Sequence, residues 1–157
     1  MRPLQNLFAV SLVTACIGSA PLAQAGLDPE AFNVTYRQSI FSVLAGNFGP
    51  MLGMIKGEIP WDDATFQSLA NDLATTASLD IPRAFPSKND PGKTKARPEI
   101  WDNMDDFLLK MEALRTESAK LAELASGQDK AAIMAQFRIT GKTCGNCHDD
   151  YKSKNYL

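Results

Sequence analysis

The chain has 157 residues, with 16 Lys and Arg, 18 Asp and Glu, one His and a formal net charge of −2. That length suits one domain. The mild acidity leaves no basic footprint for nucleic acid or for an anionic membrane surface.

Residues 1–25 read as an export signal. Arg2 gives a basic start, Leu7 to Ile17 an apolar run, and Ala23-Gln24-Ala25 a small-x-small cleavage site, the run being too short for a membrane span. Cleavage after Ala25 leaves residues 26–157 as a periplasmic domain that is not membrane-embedded. Val13-Thr14-Ala15-Cys16 also resembles a lipobox, in which Cys16 would be acylated. The plainer reading is a small residue in the apolar run, since the Ala23-x-Ala25 site follows a longer and better-shaped signal. Cys144 and Cys147 are then the cysteines that remain.

Four helical patterns follow. The first opens with Asp28 as N-cap, Pro29 at the first helical position and Glu30 near the positive end of the dipole. It carries Phe41, Leu44, Phe48, Leu52 and Ile55 at helical spacing and stops at Lys56-Gly57. Gly49-Pro50 predicts a kink or a loosened turn within it. The second starts after Asp62, with Trp61 and Phe66 placed as a hydrophobic staple. Its stripe is Phe66, Leu69, Ala70, Leu73 and Ala77, and it ends before Pro82. Residues 82 to 97 hold Pro82, Pro86, Pro91, Gly92 and three lysines, which predicts a long surface loop.

The third pattern opens at Pro98 and buries Trp101, Met104, Leu108, Met111, Leu114, Leu121 and Leu124 before Ser126-Gly127 closes it. The fourth follows from Asp129 as N-cap, with Ile133, Phe137, Thr140, Cys144, His148 and Tyr151 on its inward stripe. Four amphipathic helices with one long connection predict an all-α fold, an antiparallel up-down-up-down four-helix bundle.

Cys144-Gly145-Asn146-Cys147-His148 is the C-x-x-C-H pattern of covalent haem attachment. On a helix, positions i and i+3 share a face, so both thiols reach the two vinyl groups along one haem edge. The i+4 imidazole of His148 then falls under the iron as the metal ligand. One haem c per chain, near one end of the bundle, is the expected cofactor. A thioredoxin-like C-x-x-C would open a helix after a strand in a βαβ unit, and the pattern has no strand. A structural zinc site needs about four ligands, and the exported domain offers two Cys and one His.

With that motif in the last helix of a bundle, the sequence resembles cytochrome c′ and the class II c-type cytochromes. Tyr36-Arg37-Gln38-Ser39-x-Phe41 with Asn47-Phe48-Gly49-x-Met51 is similar to the family's first helix. Ala96-Arg97-Pro98-Glu99-Ile100-Trp101 is similar to the entry of its third, and Cys144 to Tyr151 to its attachment segment. The resemblance puts the distal residue at Phe41 and implies a homodimer built through the first two helices. Members with Met at the distal position look like low-spin electron carriers, and those with Leu or Phe look five-coordinate. At Lys152 many relatives carry Arg, so a role tied to guanidinium geometry is in doubt there.

The sixth coordination position decides the function. The lone His148 excludes a second histidine, so methionine is the rival. With about 1.5 Å of rise per residue, His148 lies roughly 10 Å from its end of the bundle, Arg37 about 12 Å, Phe41 about 18 Å and Met51 about 33 Å. Met51 and Met54 are therefore out of reach of the iron. Met104, about 9 Å from that end, is level with His148, although Met more often fills gaps beside a neighbour such as Trp101. Arg37, four residues before Phe41, either hydrogen-bonds a haem propionate or pairs with an acid, or else it is solvated. Gln38, Arg97, Trp101 and Met104 complete the candidate haem contacts. The expected function is a non-enzymatic haem protein with five-coordinate iron that binds nitric oxide or carbon monoxide and transfers electrons modestly. The alternative is a low-spin shuttle with Met104 as sixth ligand. A peroxidase would need a distal His as acid–base catalyst, and the sequence supplies none.

Overall fold

The computed structural model describes residues 29–86 and 94–155. The expected cleavage site after Ala25, the lipobox Cys16 and the Asp28 cap lie outside them. The described chain forms α1 (Pro29–Lys56), α2 (Asp63–Ala77), a 3-10 turn at Pro82–Ala84, a short α3 (Glu99–Asp102), α4 (Met104–Ala125) and α5 (Lys130–Tyr151). α1, α2, α4 and α5 make an antiparallel four-helix bundle in which α2 packs on α1 and α4, and α4 packs on α5. No described helix is long and apolar enough to cross a membrane.

α1 runs unbroken through Pro50. The expected loosened turn does not form, and the Gly46 carbonyl that loses its usual N–H partner at Pro50 belongs to an exposed residue. The helix ends at Gly57, whose φ of +75° is open to glycine at no steric cost. The core line of α1 lies one residue round from the expected stripe. Val34, Ile40, Leu44, Met51 and Met54 are buried, whereas Phe41 and Phe48 are half-buried on its flank.

α2 follows its sequence signals. Thr65 N–H donates to Asp62 Oδ1 at 2.7 Å, and Trp61 stacks on Phe66 with ring centroids 4.7 Å apart.

The third predicted helix is two helices. Asn103, with φ −134° and ψ 47°, breaks the chain between α3 and α4 and resets the register. The α4 stripe is Phe107, Met111, Leu114, Ser118, Leu121 and Ala125, a regular four–three alternation. Leu108 and Leu124, expected inside, are 40% and 38% exposed, and Trp101 and Met104 are half-buried. Ser118 disguised the stripe, because its fully buried hydroxyl, which lacks a hydrogen-bond partner, sits where the pattern leads one to expect an apolar residue. Leu121→Ala is thus expected to cost about 2–5 kcal/mol, and Leu124→Ala no more than about 0.5 kcal/mol. Urea unfolding of the two variants separates the registers.

α5 starts at Asp129, whose Oδ1 accepts from Ala132 N–H at 3.0 Å. Two of its side chains bond to α4 at one shared backbone carbonyl. Gln136 Nε2 and Thr140 Oγ1 both donate to Glu117 O, at 3.1 and 3.0 Å.

The long connection is not all surface loop. Thr94 is buried, and Ala96 bridges to Lys152 in an antiparallel pair. Ser153 N–H donates to Lys95 O at 2.8 Å, and Arg97 N–H to Tyr151 O at 3.0 Å. The chain before α3 is thereby tied to the chain leaving α5.

Candidate haem site

α1 and α5 meet at Phe48, whose ring stacks on Phe137 with centroids 4.2 Å apart. Gly141 eases the approach, since a Cβ there would lie 3.1 Å from Phe48 Cζ and press on the ring. Beyond this wedge, toward the C-terminal end of α5, a cavity of about 590 Å³ opens between α1, α4 and α5. Phe41, Leu44 and Phe48 line it from α1, Phe107, Met111 and Leu114 from α4, and Thr143, Cys144, Cys147, His148 and Tyr151 from α5.

The α5 residues have the geometry of attachment. Cys144 is half-buried, Cys147 is buried, both are free thiols, and both face the same cavity. Burial raises the Cys144 thiol and pushes Cys147 up to about 11 against the opposing pull of Lys110. A redox-active C-x-x-C needs the reverse, a thiolate stabilised near neutral pH. His148 stands at the cavity rim. Burial of its ring, then the charge of Lys152, lowers its pKa, so the imidazole is neutral and free to donate a lone pair to a metal. Among the described residues no group of three or more His, Cys, Asp or Glu side chains is placed to hold a metal ion.

Below the motif, Tyr151 is a fixed wall. Its hydroxyl donates to Asp106 Oδ2 at 2.6 Å, and Lys110 bridges Asp106 and Asp150 at 3.5 and 2.9 Å. Burial and that hydrogen bond push the phenol up to about 12. Tyr151 also meets Phe107 edge-on, with centroids 5.6 Å apart.

Arg37 is 2% exposed and lines the cavity. Its guanidinium donates to Thr94 Oγ1 at 2.8 Å and Ala84 O at 3.3 Å, and lies over the Phe85 ring at 5.0 Å. Gln38 and Phe41 line the same wall. Arg97, Trp101 and Met104 do not line the cavity. Arg97 pairs with Glu99 at 2.6 Å, Trp101 Nε1 donates to Phe85 O at 3.0 Å, and Met104 packs against the core. Trp101 stands behind Phe85, which does face the cavity.

Thr94, Lys95, Ala96 and Met111 are among the cavity residues that were not expected as site residues. Thr94, Lys95 and Ala96 reach the cavity through the pairing with the α5 exit, a tertiary contact with no local signature. Met111 reads as core by spacing, and it is core, but it also borders the cavity.

The residues fit a haem. The volume is that of a cofactor pocket, about 300–1,000 Å³. The wall is apolar, two thiols lie one helical turn apart along it, a neutral imidazole follows at the next position, and a buried cation borders it. Fold and site together define a c-type haem protein built on a four-helix bundle. A family model described as Cytochrome C' matches residues 33–152. Cytochrome c-554 from Cereibacter sphaeroides is 30% identical over 158 residues, covering 99% of this chain and all of the relative. The structure of cytochrome c prime from Shewanella frigidimarina aligns with a TM-score of 0.78 and 37% identity over 82% of this chain and 99% of its own. A nitric oxide complex of a point mutant of cytochrome c prime from Alcaligenes xylosoxidans aligns with a TM-score of 0.71 and 33% identity, over 80% and 97%. The chain belongs to the cytochrome c′ family, and its cofactor is covalently bound haem c.

Proposed function

We propose that this chain is a periplasmic haem protein that binds nitric oxide or carbon monoxide at an iron held by His148 and left open on the side of Phe41. The observation that carries the reading is the α1 wall. Phe41, Leu44 and Phe48 line the cavity there, and none of them can ligate iron. The nitric oxide complex of a relative at 33% identity supports gas binding. When bound, the haem supplies the iron on which a diatomic ligand is held and an electron is stored.

The chain's own residues have four tasks. Cys144 and Cys147 hold the group covalently, so it stays when ligands exchange. His148 gives the proximal nitrogen. Arg37, pinned by Thr94 and Ala84, meets a propionate with a buried positive charge. Phe41 limits the size of what enters. Gln38 and Lys152, which also line the cavity, contribute at its rim. Export after Ala25 and pairing of two copies through α1 and α2 belong to the same proposal. Phe32 and Val43 on α1, 53% and 50% exposed, support the pairing.

The second reading is a low-spin electron carrier. It needs a methionine at the cavity, and there Met111 rather than Met104 is the candidate. A ferric EPR spectrum separates the two. The proposal expects a predominantly high-spin, five-coordinate signal at neutral pH, and a low-spin signal sinks it.

A further inference from the structure

A second apolar depression of about 620 Å³ lies on the outer side of the bundle, between the end of α2 and the first half of α4. Leu79, Leu108 and Leu109 border it and are 47%, 40% and 69% exposed. Apolar side chains clustered around one groove mark a contact surface more often than scattered ones do. The rim is acidic. Among the described residues, Asp80, Asp105 and Glu112 stand around it against the one cation Arg115, which is itself hydrogen-bonded to Glu112. Interfaces of this build have an apolar centre and a polar rim, and the rim charge selects the partner.

The groove also has a depth relation to the haem site. Met111 lines both cavities, and among the described residues it is the one side chain common to the two. A protein seated on Leu108 and Leu109 would lie across α4 from the haem cavity, with Met111 bordering both sides. Electron transfer weakens steeply with distance, so this is a short path between a docked redox centre and the haem.

We infer that the groove formed by Leu79, Leu108 and Leu109 docks a small one-electron carrier protein whose apolar contact patch is ringed by lysines. In the encounter one electron leaves the reduced carrier and reaches the ferric haem; no bond is made or broken. The inference rests on the chain exchanging electrons as a haem protein, and it holds whatever occupies the sixth position.

The test uses the holoprotein and, as probe, a basic c-type cytochrome with a lysine ring around its haem edge. Carbodiimide coupling, read by peptide mass spectrometry, is expected to link probe lysines to Asp80, Asp105 or Glu112. The second-order electron-exchange rate should fall with ionic strength, as for steered encounters. Leu109→Lys combined with Asp105→Lys should lower it by about tenfold or more. Reduction by the neutral semiquinone of lumiflavin, a small uncharged reductant that needs no groove, should stay unchanged in the same variant.

Crosslinks elsewhere, or an unaltered rate with the cytochrome, overturn the inference. An equal loss with both reductants overturns it too, because the substitutions then act on the haem itself. Sedimentation showing that Leu109→Lys splits a dimer assigns the groove to a second copy and likewise rejects the carrier. A failed high-spin assignment leaves all these readouts intact, so the two proposals fall separately.

Discussion

Alanine at both Cys144 and Cys147 is expected to abolish covalent haem in the purified protein. The two thiols share a face of α5 and open on one cavity, and thioether bonds at those positions resist extraction where coordination by His148 alone does not. Wild-type protein should therefore keep its haem through acid–acetone, and the double variant should release whatever it has bound. A single Cys144→Ala or Cys147→Ala leaves one bond and should sharply lower the yield of holoprotein. Intact mass spectrometry reads all of this, since a covalent haem travels with the chain and a coordinated one does not. The same spectrum reports the N-terminus, expected at Gly26 without lipid. Haem passing quantitatively into the organic phase from wild type would remove the basis of the site.

The attachment motif could be read from sequence because it is local. Its spacing is set by one helical turn, and a single helix delivers both thiols and the imidazole without help from the rest of the fold. The caps at Asp62 and Asp129 and the Trp61–Phe66 staple were legible for the same reason, as each is a contact within about five residues. The all-α bundle followed from four apolar periodicities.

What stayed hidden depends on the other elements. Asn103 carries no Pro or Gly signal, yet its backbone turn shifts the stripe of α4 from Leu108 to Phe107. The polar Ser118 then interrupts the apolar pattern in the middle of the observed stripe. The arm from Thr94 to Ala96 reaches the cavity because it pairs with residues more than fifty positions away. Met104 and Met111 show how far a helix rise can go. Height along the bundle put Met104 level with His148, but facing is angular, and after the reset at Asn103 Met111 borders the cavity instead.

Phe41→Ala should accelerate carbon monoxide binding to the ferrous protein by about tenfold to a hundredfold. Phe41 is half-buried on the flank of α1, four residues beyond Arg37 and across the cavity from the α5 wall that carries Cys144 and His148. If its ring covers the open position, an incoming ligand must displace it from a packed rotamer. Such displacement in a filled interior costs about 1–3 kcal/mol, and each 1.36 kcal/mol is a factor of about ten in rate. Alanine removes the ring and with it the barrier, while the His148 side is untouched, so the ferric spectrum should remain high-spin. Stopped-flow mixing with carbon monoxide measures the rate, and Met111→Leu provides the contrast. In a five-coordinate protein Met111→Leu leaves the ferric spectrum as it was. In a methionine-ligated one it converts low-spin iron to high-spin and speeds carbon monoxide binding, whereas Phe41→Ala does little. Unchanged ligand kinetics in Phe41→Ala would place that ring in the packing of α1 alone and leave the entry barrier to another residue of the cavity.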